Sequence, residues 1–250
     1  MNKTFVTAIT VGSAGKTTLT RHVLSAHTPA PAVLSIESAT PAGDEVELFQ
    51  RSDSRTILAL KARLIAPDPK RTLIIDAGVT DSELVAQALA ELSKIRPLAH
   101  VTVIIPVLTD RKGLTGLERF APTLPASVRR VVVLSQVQDE NAHTEFLAGR
   151  LGQAVTAFCK STGVELCPVP MLYSPLLDTS AAHHTLLGAA GLAGVAELDI
   201  DALVAAAQAK RGDKDAEAKF GLALDGIGMA QSALANTRAI YDYLEGGANG

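Results

Sequence analysis

The decapeptide Ile9-Thr10-Val11-Gly12-Ser13-Ala14-Gly15-Lys16-Thr17-Thr18 narrows the choice of fold more than any other part of the chain. A β-prone run, Phe5 to Ile9, leads into it, and Leu19 to Leu24 has the make-up of a helix. A strand, a loop of small residues and a helix opening on Gly-Lys-Thr is the order a phosphate-binding loop requires. The first turn of a helix leaves backbone N–H groups without internal partners, at the positive end of the helix dipole. An anion placed there is held by several of them at once. Gly12, Ser13, Ala14 and Gly15 are small enough for the backbone to close around phosphate oxygens. Lys16 then neutralises the β- and γ-phosphates, the Thr17 hydroxyl ligates Mg²⁺, and Thr18 continues the cradle into the helix. The full pattern asks for glycine five residues before Gly15, where this chain has Thr10.

A second strand, Ala32 to Glu37, ends in the polar run Glu37-Ser38-Ala39-Thr40-Pro41. Roughly sixty residues beyond the loop, Arg71-Thr72-Leu73-Ile74-Ile75-Asp76-Ala77-Gly78 reads as a buried strand closed by an acid. An apolar strand delivering one aspartate is the Walker B arrangement, in which the carboxylate holds Mg²⁺ beside the loop threonine. Further strands are expected at Ala99 to Val107, Val128 to Val137 and Gly163 to Val169. Helices are expected at Asp44 to Leu64, Asp81 to Ile95, after the polar turn Thr109 to Gly113, and at Asn141 to Thr162. Alternating strands and helices imply right-handed crossovers and a mainly parallel sheet covered on both faces. The fold class is therefore α/β, a three-layer P-loop NTPase fold. Residues 1–173 are read as its core, and residues 174–250 as a helical extension packed on that core, since no strand candidate follows Ser174.

Composition excludes several classes. With 23 Lys and Arg against 26 Asp and Glu, the net charge is −3, which disfavours binding nucleic acid through the surface as a whole. The most apolar run, Val101 to Leu108, is far shorter than a membrane span. No secretory signal is visible at the N-terminus, and Cys159 and Cys167 lack metal-ligand spacing. A cytoplasmic protein with two buried thiols is expected.

The loop string Val11 to Thr18 resembles that of the ParA/MinD-type ATPases and, more closely, of the StbB-type plasmid stability proteins. The likeness extends over roughly the first 140 residues: His22 after the loop, Glu37-Ser38 closing the second strand, Asp76-Ala77-Gly78 and Ile105-Pro106. It implies an ATP- and Mg²⁺-dependent switch in plasmid partition or positioning, with a role in conjugation as a variant. It also implies a homodimer, and a protein partner such as a DNA-binding plasmid protein. The chain departs from the ParA pattern in three places. Val11 stands where those proteins carry a lysine that reaches the partner's phosphates. Ala39 stands where the second strand delivers an aspartate, so Glu37 is the acid available to orient a water. Ser135 and Gln136 stand where an asparagine reads adenine, and Gln136 offers both a donor and an acceptor. The catalytic set implied is Lys16, Asp76 and Glu37, with Thr17 and Asp76 at the metal.

Two other classes fit the same residues. One is a nucleotide-binding adaptor with little or no hydrolysis, suggested by Val11 and Ala39. The other is a small-metabolite kinase, for which an arginine-dense lid would be expected and none is visible. His22 and His27 read as helix-surface residues. Adjacent histidines such as His183-His184 seldom complete a metal site without acidic or thiol partners, and Arg129-Arg130 reads as a charge pair capping a strand.

Overall fold

A computed structural model describes residues 3–12, 14–36, 46–49, 54–174, 196, 199–209 and 214–246. Strand β1 (Thr4–Thr7) runs through the middle of the sheet. Next come α1 (Lys16–Thr18), β2 (Ala32–Ile36), β3 (Val46–Phe49), α2 (Ser54–Ile65), β4 (Leu73–Ala77) and α3 (Ser82–Ser93). The chain goes on through β5 (Val101–Leu108), α4 (Arg111–Phe120), β6 (Arg129–Val137), α5 (Glu140–Ala148) and α6 (Arg150–Thr162). Two short strands, β7 (Glu165–Leu166) and β8 (Met171–Leu172), precede helices α7 (Ile200–Ala209) and α8 (Lys214–Gly246). The sheet order is β3-β2-β4-β1-β5-β6-β7, with β8 also on β6, and every described pairing is parallel. This is a parallel α/β architecture covered by helices on both faces, with β1 between β4 and β5.

Period-two alternation distributes the strand side chains between two apolar layers. Val6, Ile75, Val103, Ile105, Val132 and Leu134 face one layer, with α2, α3, α4 and α6 over them. Phe5, Ile74, Ile104, Val131 and Val133 face the other, beneath Leu19, Val23 and Leu24 and the C-terminal residues Ile240, Tyr241 and Leu244. Both faces are covered, so the strands read as nearly unbroken apolar runs. Each fully buried Ile or Leu contributes roughly 1.5–3 kcal/mol.

Several elements differ from expectation for identifiable reasons. The stretch expected to be helical from Asp44 contains β3, which supplies the backbone partners that the outer edge of β2 would otherwise lack. The described helix of this stretch is Ser54–Ile65. Thr109 to Gly113 is less a turn than a helix start. The Asp110 side chain accepts from the Gly113 amide at 2.7 Å, so α4 begins at Arg111. The helix expected over 141–162 is broken at Gly149, whose extended backbone (φ −76, ψ 166) precedes α6. The strand expected over 163–169 shrinks to Glu165–Leu166, because Pro168 and Pro170 have no N–H for the ladder. Residues Leu19–Ser25 form a π-helix continuing α1. His22 lies within it, 6 % exposed rather than on the surface, and burial, then Arg21, pushes its pKa down to about 4. His183 and His184 lie outside the described residues.

Helix α8 joins the second layer through Ile240, Tyr241 and Leu244 in its last turns. Ile227, Ala230, Ala233, Thr237, Ile240, Tyr241 and Leu244 are buried at helical spacing. Its last turn is held by Arg129, whose guanidinium donates to the Leu244 carbonyl at 2.6 Å and pairs with both Glu165 oxygens at 2.7–3.1 Å. Arg130 donates to the Thr162 carbonyl, so both arginines of this pair serve as structural ties at the strand's start. A cation at a helix C-terminus satisfies carbonyls that have no partner within the helix. Arg129→Ala is therefore expected to lower stability by about 2 kcal/mol and to speed amide exchange in the last two turns of α8. A hydrogen-exchange map with those turns unchanged would remove Arg129 from this role. Both cysteines are buried, and burial pushes each thiol up to about 11. Among the described residues no helix is long and apolar enough to cross a membrane.

Candidate functional site

Strand β1 ends at Thr7, and the chain reaches helix α1 through Ala8 to Gly15. Gly15 is the residue before the helix and has φ +83, a left-handed conformation that costs a residue with a Cβ roughly 1–2 kcal/mol. A Cβ there would also lie 2.6 Å from Met171 Cε and 3.6 Å from Ser135 Cβ. Conformation is what requires glycine here, since the close neighbour is the flexible end of the Met171 side chain. The Gly15 carbonyl accepts from the Leu19 amide at 2.9 Å and starts the helical ladder immediately. Lys16 is the first helical residue and only 8 % exposed, and Thr17 and Thr18 are half-buried beside it.

The rest of the loop is anchored in the core. Ala14 and Val11 belong to the apolar layer under α4, and Gly12 approaches Val79 of the segment after β4. Val11 packs against Gly116 so closely that a Cβ on Gly116 would fall 2.2 Å from Val11 Cγ2. Val11 is therefore turned inward, against α4. Ser13 lies outside the described residues, and so do Glu37 and Ala39.

Asp76 is brought to the loop by the sheet itself. Parallel pairing of β1 with β4 sets Thr7 opposite Asp76, the next-to-last residue of β4. The Thr7 hydroxyl lies 2.7 Å from that of Thr20, 3.3 Å from Asp76 Oδ1 and 3.2 Å from the Ile75 carbonyl. A hydroxyl has one proton, so Thr20 donating to Thr7, with Thr7 donating onward, satisfies the set. The chain fixes the orientation of a carboxylate that is only 5 % exposed. A second tie runs through Ser82, the first residue of α3. Its hydroxyl accepts from the Ile9 amide at 3.1 Å and lies within donating distance of the Ile9 and Gly78 carbonyls, at 3.0 and 2.9 Å. The Gly78 amide in turn donates to the Ile36 carbonyl at 2.8 Å. The ends of β1, β2 and β4 are thus stitched into one edge.

Thr7, Thr20 and Ser82 were not among the sequence candidates. The signal that could have found them is a hydroxyl inside an otherwise apolar strand or at a buried helix start, where the polar atom must have a partner.

Hydroxyl and carboxylate oxygens are hard donors of the kind Mg²⁺ takes with nucleotide phosphates. Thr17 in the first helical turn and Asp76 at the end of the adjoining strand fit that ion, with waters and phosphate supplying the remaining ligands. On the other side of the loop, Gly15, Thr18, Gln136 and residues Met171 to Ser174 line a cavity of about 240 Å³. Gln136 has a left-handed backbone (φ +58), unusual for a residue with a side chain, and is exposed at the rim. The structure therefore gathers Gly12, Ala14, Gly15, Lys16, Thr17, Thr18, Asp76 and Gln136 around the carboxyl ends of β1, β4 and β6. Ligands of open α/β sheets bind at this edge.

No protein-family model matches this chain, and no curated protein matches it. It is similar to the solved structure of apo McdA from Cyanothece, at 15% identity over 94% of this chain and 100% of that one, with a TM-score of 0.49. It is also similar to an ATP complex of a Cyanothece McdA variant, at 16% identity over 91% of this chain and 97% of that one, with a TM-score of 0.45.

Proposed function

We propose that the chain binds ATP with Mg²⁺ in the loop from Gly12 to Thr18 and acts as a nucleotide-dependent switch of the ParA type, working in plasmid partition or positioning. The observation that supports this best is the pairing of a left-handed Gly15 at a helix start with Asp76 held at the adjoining strand end. In this reading the helix N–H groups and Lys16 bind the phosphates, Thr17 and Asp76 hold the metal, and Gln136 contacts the base. Bound Mg²⁺ supplies charge neutralisation across the β- and γ-phosphates. Thr7 and Thr20 keep the Asp76 carboxylate aimed, and Ser82 keeps the segment after β4 against the loop. Glu37 is the acid proposed to position water, and a slow ATPase follows. The family resemblance adds a homodimer and a DNA-binding plasmid protein as partner, in the cytoplasm.

The inward packing of Val11 on Gly116 favours a second reading, an adaptor that binds nucleotide and hydrolyses it little or not at all. A dimer joined through that position could not use it to stabilise charge across the interface. Calorimetric titration of the full chain with ATP, with and without Mg²⁺, tests the common premise. Saturable binding that tightens with Mg²⁺ is expected, and no heat of binding in either case would sink both readings. Phosphate release from the same sample separates them.

A further inference from the structure

We infer that Asn236, on helix α8, is a positioning residue for the nucleoside side of the site, tying the cavity wall beside Gly15 to the C-terminal helix. The inference rests on the nucleotide reading above and goes beyond it, because Asn236 lies a hundred residues past Gln136 and lines no part of that cavity.

Strand β8 forms much of the cavity wall, yet it is only two residues long. On one edge it is held by β6 through pairing of Ser135 with Met171 and Val137 with Leu172, interrupted by a register shift. The Tyr173 amide donates to the Val137 carbonyl just beyond. Pro168 and Pro170 flank it on the N-terminal side and bring no N–H. A strand this short, with an irregular ladder, is weakly fixed by backbone pairing alone.

Asn236 supplies its other edge. Its Nδ2 donates to the Pro170 carbonyl at 2.9 Å, and its Oδ1 accepts from the Leu172 amide at 3.1 Å. Carbonyl and amide two residues apart point to the same side of a strand, so one side-chain amide takes the place of a neighbouring strand. Between those two contacts lies Met171, 3 % exposed, whose Cε is the atom nearest the space that Gly15 leaves. Leu172, Tyr173 and Ser174 continue the wall, and the same three residues line a second groove together with Asn236. Asn236 therefore holds the wall along the edge that β6 leaves free. The residues of α8 around it, Ala233, Thr237 and Ile240, are buried, so the anchor point is part of the packed interior. A nucleoside seated against Met171 to Ser174 would press on a wall whose position depends on α8, and α8 would register its presence.

The test compares two ligands on the full chain. Inorganic tripolyphosphate engages only the phosphate loop, whereas ADP also needs the wall. Asn236→Leu is expected to weaken ADP roughly tenfold, the worth of one pair of backbone-directed hydrogen bonds. Tripolyphosphate should stay within about twofold of the parent chain. An unchanged ratio of the two affinities would overturn the inference while leaving the nucleotide reading intact. Binding of neither ligand by the parent chain would remove both. If the variant fails to fold, hydrogen exchange on the parent chain decides. ADP, but not tripolyphosphate, should slow exchange at the Leu172 amide and around Asn236. Equal protection by both ligands, or by neither, counts against it.

Discussion

Lys16→Ala is expected to abolish ATP binding at concentrations that saturate the parent chain, a loss of at least about a hundredfold. Lys16 opens α1 directly after the left-handed Gly15, and it is nearly buried. A cation there acts on phosphates in a site of low dielectric, where a charge-assisted contact is worth roughly twice a neutral one. The helix N–H groups remain in the variant, but their partial charges do not replace a full one on a triphosphate. Lys16→Arg is not expected to rescue binding. Its planar fork is bulkier than an ammonium and presents its donors in a fixed geometry that a compact point charge does not need. Isothermal calorimetry measures the affinity, and a thermal melt of each variant shows that folding is intact. Unchanged ATP affinity in a folded Lys16→Ala chain would remove the phosphate loop from the proposed function.

The central part of this arrangement was legible because its sequence signals are local. Strand, small-residue loop and Gly-Lys-Thr occupy neighbouring positions, and Leu73 to Asp76 is an apolar run with one acid. The α/β class followed from the alternation of such runs with helical ones. What could not be read depended on distant partners. Thr7 and Thr20 looked like ordinary strand and helix residues until the register of β1 against β4 placed them beside Asp76. The Val46–Phe49 strand was hidden because four residues in a charged surrounding carry little periodicity, and only the free edge of β2 makes them a strand. His22 follows the same logic: its position on a helix was readable, but the layer closing over that helix comes from residues more than two hundred positions away. Asn236 shows the limit most clearly, since a polar residue in a long helix gives no sign that a strand end lies opposite.

Gly113→Ala should destabilise the fold by about 2–3 kcal/mol, lowering the melting temperature by roughly 4–12 °C. Two effects oppose each other. Alanine in place of glycine within a helix gains about 0.5–1 kcal/mol from backbone entropy and propensity. Against this, a Cβ on Gly113 would lie 2.1 Å from the Leu108 carbonyl oxygen and 2.8 Å from the Leu108 amide nitrogen. Those are backbone atoms at the end of β5, which is paired with β6 through to Leu108 and cannot yield as a side chain would. Helix α4 would have to lift, breaking the contact of the Asp110 side chain with the Gly113 amide and loosening Gly116 from Val11. Sterics win at this position. Gly228→Ala in α8 isolates the other effect, because nothing lies within 4 Å of its would-be Cβ and it is exposed. That variant should be more stable than the parent by up to about 1 kcal/mol. Melts of the two variants should therefore move in opposite directions. A Gly113→Ala chain as stable as Gly228→Ala would mean that α4 does not approach β5 as closely as described. The inward packing of Val11, on which the adaptor reading depends, would then lose its support.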